Sequence, residues 1–122
     1  MNTTRHIPKN ILQFWHDKTQ IPVEMREALD GTRATHRDYE FRLADDDEVR
    51  ALLDADHPRE LRVMYDLIRL PSSRSDIARL VLLKKYGGFY LDASMQFHSS
   101  LNEVLDDNPM LVLVQRDDFP MY

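Results

Sequence analysis

Arg74-Ser75-Asp76-Ile77-Ala78-Arg79-Leu80-Val81-Leu82-Leu83-Lys84-Lys85-Tyr86-Gly87-Gly88-Phe89-Tyr90-Leu91-Asp92-Ala93-Ser94 is the stretch on which the fold turns. Its first part reads as a helix. Ile77, Leu80, Val81 and Lys84 mark one side, and the stem of Lys84 can cover apolar surface while its amine stays wet. Ser73 is positioned to cap the start, with Asp76 as the reciprocal member of a capping box. Gly87-Gly88 ends the helix, because glycine reaches left-handed geometry cheaply. Phe89-Tyr90-Leu91 then reads as a short buried strand, with Asp92 at its carboxyl end. A helix feeding a short apolar strand through a glycine turn is the unit of an α/β layer.

Outward from this stretch the alternation repeats. Asn10 to Trp15 predicts a first strand, introduced by Pro8. A helix is expected from Pro22 to Asp30, with Pro22 at its first position and Gly31 closing it. Tyr39 to Leu43 alternates as a second strand. Asp45 is placed to cap the next helix, with Glu48 three residues on and Val49, Leu52 and Leu53 as its apolar stripe. Pro58 opens another helical pattern through Leu61, Met64, Tyr65 and Ile68, which Pro71 breaks. Leu101, Val104 and Leu105 suggest a further short helix, and Met110 to Val114 a fully apolar strand. Helices alternating with short apolar strands predict an α/β fold with a mainly parallel sheet. The chain stops soon after that last strand, which wants covering on both faces. It is therefore expected to be the first half of a larger domain, the alternative being a small complete domain whose last strand is an edge.

Composition narrows the function. The 122 residues suffice for one domain with a modest core, and 43% apolar against 30% charged residues is a globular balance. A net charge of -5 and no basic, aromatic-interleaved patch argue against a nucleic-acid partner. The absence of Cys removes disulfides, thiolate metal sites and a cysteine nucleophile. No apolar run is long enough to span a membrane, and Met1 to Asn10 does not read as a signal peptide, so a cytoplasmic location is expected. His6, His16, His36, His57 and His98 lack zinc-ligand spacing, and Asp45 to Glu48 fits a helix start better than a calcium loop. No Walker loop or dinucleotide fingerprint is present.

The candidate chemistry sits in four residues. Asp76 and Arg79 are three apart on a helix and can project together, although a cap and its salt-bridge partner would look the same. Asp92 lies beyond the carboxyl end of a strand, where open α/β sheets bind ligands; there it can hold a metal, accept sugar hydroxyl protons or simply cap its loop. Trp15 ends the first strand and offers either an aromatic face for a base or a core side chain. A nucleotide-sugar site needs these types: an aromatic face for the base, carboxylates and a forked Arg for hydroxyls, and positive charge or Mg²⁺ or Mn²⁺ for a diphosphate.

The chain resembles the glycosyltransferases whose sugar-binding region contains a DXD motif, family 32, related to the yeast-type initiation mannosyltransferase and similar to the catalytic core of the large clostridial glucosylating toxins. Ile7 to Trp15, Asp38 to Asp46 and Arg74 to Ser94 carry the likeness, and Asp76 precedes Asp92 by 16 positions as in that pattern. The resemblance implies a nucleotide-diphospho-sugar transferase (GT-A-like) fold, here its donor-binding part over residues 1–122, and a retaining hexose transfer from a UDP- or GDP-sugar to a glycan or other hydroxyl acceptor, as in capsule and surface polysaccharide synthesis. It implies that Trp15 flanks the base, that Asp76 and Arg79 hold the ribose and sugar region, and that Asp92 contacts donor hydroxyls or the metal. The third motif position departs from the pattern: Ser94 replaces Asp, which removes a charge and the strongest Mn²⁺ or Mg²⁺ ligand. No enzymic nucleophile is assigned. The alternative is a truncated or inactive module that binds a sugar nucleotide or a protein, with self-association through exposed apolar surface.

Overall fold

The computed structural model describes residues 7–96 and 100–104. Among the described residues three parallel strands form one sheet in the order β2-β1-β3. They are β1 (Asn10–Phe14), β2 (Glu40–Ala44) and β3 (Phe89–Tyr90). The register pairs Ile11 with Phe41 and Phe89, and Leu12 with Arg42 and Tyr90. Helix α1 (Val23–Thr35) connects β1 to β2; α2 (Asp46–Asp56), α3 (Arg59–Leu67) and α4 (Pro71–Tyr86) connect β2 to β3. The short α5 (Leu101–Val104) follows β3. The first crossover runs from β1 to β2 on one side and the second returns from β2 past β1 to β3 on the other, so strand order reverses at the central β1. The expected mainly parallel α/β sheet is what forms.

Strand alternation divides the core. Leu12 and Phe14 face Val49, Leu53, Tyr65, Ala78, Val81 and Leu82 of the three-helix crossover. Ile11 points the other way, into a smaller cluster with Tyr39, Leu91 and Leu101. Each fully buried large apolar side chain adds about 1.5–3 kcal/mol, so the first cluster dominates. Asp46 knits that layer together: Tyr65 Oη donates to it at 2.5 Å and Arg74 Nη1 at 2.8 Å. His36 ties α1 to α5. The Leu101 N–H donates to its Nε2 at 2.9 Å, which leaves Nδ1 to donate to the Thr32 carbonyl at 2.8 Å.

Several boundaries differ from expectation. Helix α1 runs through Gly31 to Thr35. Gly31 has open space around it, and the buried Thr32 and His36 favour continuing the helix past it. Pro22 is the N-cap of α1 rather than its first residue. Helix α4 begins at Pro71, with Leu70 as N-cap and no side-chain cap. Proline suits the first helical position because its missing N–H has no partner there. Ser73 and Asp76 therefore form no capping box. Leu80 is exposed, and the buried face of α4 is Ala78, Val81 and Leu82, since the stripe faces β1 rather than the positions read from spacing. Met64 is likewise exposed on α3. By contrast Asp45 does cap α2, accepting from the Glu48 N–H at 3.0 Å, while the Glu48 carboxylate turns to Lys18. Gly87 and Gly88 end α4 with φ of 69° and 119°. The expected strand over Met110 to Val114, and Leu105, His6 and His98, lie outside the described residues.

Candidate functional site

The carboxyl edge of the sheet gathers charge at β3. Helix α4 packs against β1 and β3 and carries Asp76 and Arg79 in its second and third turns. The Arg79 guanidinium lies over the Tyr90 ring, 5.1 Å from its centroid. Asp76 Oδ1 is 3.7 Å from Arg79 Nη2, and both side chains remain solvated, at 71% and 49% exposure. That contact is loose, and Asp76 caps nothing, so neither of the structural roles open to this pair accounts fully for it. Asp92 follows β3 by two residues and shares the Tyr90 side of the strand by alternation. Ser94 Oγ donates to Asp92 Oδ2 at 2.8 Å across a tight turn.

Tyr90 is the hub of this group, and spacing alone did not single it out as more than a strand residue. Burial pushes its phenol up to about 12; the carboxylates of Asp92 and Asp76 reinforce the shift and Arg79 opposes it. The phenol is thus a neutral hydrogen-bond donor across the physiological range. Its signal in the sequence was the alternation that sets Tyr90 and Asp92 on one face, but the Arg79 contact depends on how α4 crosses β3.

Trp15 stands apart from this cluster at the end of β1. Its N–H donates to the Ala44 carbonyl at 3.0 Å and so extends the ladder, while ring Nε1 donates to the Gln20 carbonyl at 3.1 Å. The ring is half-buried, tilted against His16, and belongs to neither core cluster. Asp76, Arg79, Tyr90, Asp92 and Ser94 are therefore brought together, with Trp15 at the end of the neighbouring strand. Arg74 is not part of the group, since it is spent on Asp46 and the Ile68 carbonyl. A cleft of about 560 Å³ lies elsewhere, along β2, with Lys18, Arg42 and Tyr86 among its walls.

Among the described residues no group of three or more His, Asp or Glu side chains converges as a protein-only metal cage. A magnesium-type ion needs less, because it is held by one or two carboxylates with substrate phosphates and water. The Asp92 carboxylate and the Ser94 hydroxyl oxygen fit that smaller demand, provided the hydroxyl turns its proton away from Asp92.

A parallel sheet reversed about its first strand, with charged groups beyond the carboxyl ends, is a Rossmann-type arrangement and corresponds to part of a GT-A-like fold. The chain belongs to the glycosyltransferase family defined by a sugar-binding region containing the DXD motif, whose model matches residues 22–111. Its relatives include inositol phosphoceramide mannosyltransferase 3 of Schizosaccharomyces pombe, 34% identical over 85% of this chain and 29% of that protein. A glycosyltransferase of Acanthamoeba polyphaga mimivirus is 29% identical over 81% of this chain and 40% of its own. Inositol phosphoceramide mannosyltransferase 2 of the same yeast is 30% identical over 81% of this chain and 28% of its own. The chain thus spans less than half the length of each of these relatives. No solved structure matches it significantly.

Proposed function

We propose that this chain is the donor-binding part of a retaining glycosyltransferase that moves a hexose from a nucleoside-diphospho-sugar to a hydroxyl acceptor. The observation that carries the reading is the convergence of Asp76, Arg79, Tyr90 and Asp92 at the carboxyl end of β3. Two carboxylates accept from vicinal sugar or ribose hydroxyls, and a forked guanidinium and a neutral phenol donate to oxygens beside them. Trp15 supplies the aromatic face for the base. Mannose is the sugar favoured by the names of the two yeast relatives.

When a divalent cation is bound, it neutralises charge on the departing diphosphate; Asp92 and Ser94 would hold it together with donor phosphates and water. The chain's own part is to bind and orient. Arg79 offsets negative charge at the leaving group, and Asp92 and Asp76 fix the sugar so that the acceptor hydroxyl meets the anomeric carbon on the leaving-group face. A diphosphate oxygen takes the acceptor proton, so no side chain is required as general base, and the acceptor hydroxyl itself attacks, so none is required as nucleophile.

Calorimetric titration with UDP, GDP and their hexose conjugates, with and without Mn²⁺, tests the donor site. Binding of at least one nucleotide is expected, and stabilisation should follow because the ligand binds the folded form. Silence toward all of them in the presence of Mn²⁺ would remove the reading. Binding without any hydrolysis or transfer of the sugar would favour a sugar-nucleotide-binding module.

A further inference from the structure

Gln13 is a buried polar side chain that the fold leaves incomplete. It is 2% exposed, and its amide nitrogen has no hydrogen-bond partner among the described residues. Folded proteins rarely leave such a donor unpaired, because water is lost and nothing replaces it. Packing alone would be served by Leu or Met of similar volume. A glutamine kept there calls for an acceptor that arrives from outside the described residues.

The position says which acceptor. Gln13 lies on the central strand, in register with Leu43 of β2, just short of the carboxyl edge where strand order reverses. Alternation sets Ile11, Gln13 and Trp15 on one face of the sheet, with the ladder running on through the Trp15 N–H to Ala44. Below Gln13, Ile11 is sealed by Tyr39, Leu91 and Leu101. Above it the next side chain on the face is Trp15, whose half-buried ring is held by a hydrogen bond to the Gln20 carbonyl and a tilted contact with His16. The charged groups suited to phosphates and sugar sit at β3 and α4 instead. A buried, neutral amide donor pairs best with a neutral acceptor such as a base carbonyl or ring nitrogen; a phosphate would draw the Arg.

We propose that Gln13 reads the base of the donor: the Trp15 ring swings from its resting place, the base enters beside it, and the Gln13 amide donates to an acceptor atom on the base edge. Gln13 is then a specificity residue at the bottom of an induced slot. This inference rests on the donor-site reading above, and the experiment separates the two.

Trp15 is the sole tryptophan, so intrinsic fluorescence reports the slot directly. UDP, GDP and inorganic pyrophosphate are titrated into the wild type, Gln13→Met and Gln13→Glu, with melting curves recorded without ligand. The wild type is expected to prefer one nucleoside diphosphate and to shift its Trp15 emission on binding it. Gln13→Met should melt at the same temperature or higher, lose about tenfold in affinity for the preferred nucleotide, and bind pyrophosphate unchanged. Gln13→Glu should lose as much near neutral pH and recover on acidification, when the protonated carboxyl can donate. A Gln13→Met protein that keeps full affinity and base preference overturns the inference, as does one that melts several degrees lower, which would make the amide structural. A wild type that binds no nucleotide at all sinks the donor-site reading itself, and this one with it.

Discussion

Asp92 and Ser94 are joined by one hydrogen bond, 2.8 Å long, in which the hydroxyl is the donor. Replacing Asp92 by Asn keeps the shape and removes the charge. Charged hydrogen bonds contribute about 1.5–3 kcal/mol, so donor affinity should fall roughly 10- to 100-fold in calorimetry. Because Asp92 is exposed, the melting temperature should stay within a few degrees. Unchanged affinity in a normally melting Asp92→Asn would take Asp92 out of the site. Ser94→Asp sets a second carboxylate beside the first. With Mn²⁺ present it should tighten donor binding, and without metal it should weaken it through repulsion; the same affinity in both conditions would show that Ser94 does not face the diphosphate. Tyr90 gives a pH signature. Its folded-state phenol titrates near 12 against about 10 unfolded, chiefly from burial. The unfolded chain therefore gives up this proton first, and stability declines as pH rises from about 10 toward 12. Absorbance titration of the wild type minus Tyr90→Phe should show the late proton, and an ordinary midpoint near 10 would place the ring in water. Asp76, Arg79 and Asp92 were legible as candidates because their residue types and spacing carry chemical meaning. Tyr90 and Gln13 were not, since each reads as an ordinary strand residue until its neighbours from other elements are known.

At the scale of elements, the turn from α4 into β3 has the tightest constraint. Gly88 has φ of 119°, and a Cβ there would meet the Asn10 carbonyl oxygen at 2.5 Å. That oxygen is main chain in the central strand and cannot move aside. Gly88→Ala should therefore cost roughly 2–4 kcal/mol in denaturant unfolding, combining a strained backbone with displaced packing. Asn10 strengthens the same junction, donating from Nδ2 to the Tyr86 and Gly87 carbonyls at 3.2 Å each. The start of α2 is a gentler case. Asp45→Ala removes the bond to the Glu48 N–H and should lower stability by about 1 kcal/mol, readable as a shifted urea midpoint with an unchanged slope. These two ends were visible beforehand because glycine pairs and Asp-x-x-Glu act through local geometry. The start of α4 was not, since Ser73 and Pro71 both offer a start and only packing chooses between them.

Across the whole molecule, Asp46 links α2, α3 and α4 through Tyr65 and Arg74, with the ion pair only 14–18% exposed. These helices form the crossover that delivers Asp76 and Arg79 to β3. Asp46→Ala leaves the Arg74 charge and the Tyr65 hydroxyl without their acceptor, a loss of about 2–4 kcal/mol. For a chain of this size that is a drop of roughly 10 °C or more in melting temperature. Donor binding should weaken as well, because α4 loses its anchor, although Asp46 is not part of the site. A variant that melts normally would show that the apolar contacts and the outer ion pairs, Arg50–Asp66, Arg62–Asp54 and Lys85–Asp56, hold the three helices without Asp46.

Local order was written in the chain: the period of apolar residues, the Asp45 cap and the Gly87-Gly88 stop depend on neighbours within a few residues, so the strand-helix alternation and the parallel class could be read directly. Asp76, Arg79 and Asp92 were readable as candidates for the same reason. What only the tertiary structure decided depends on separations the chain does not encode locally. It set β1 at the centre between β2 and β3, turned Leu80 and Met64 outward, laid Arg79 on Tyr90 and left the Gln13 amide buried without an acceptor among the described residues. Each of those outcomes follows from which faces meet when distant segments pack, and burial, unlike propensity, is a property of the assembled molecule.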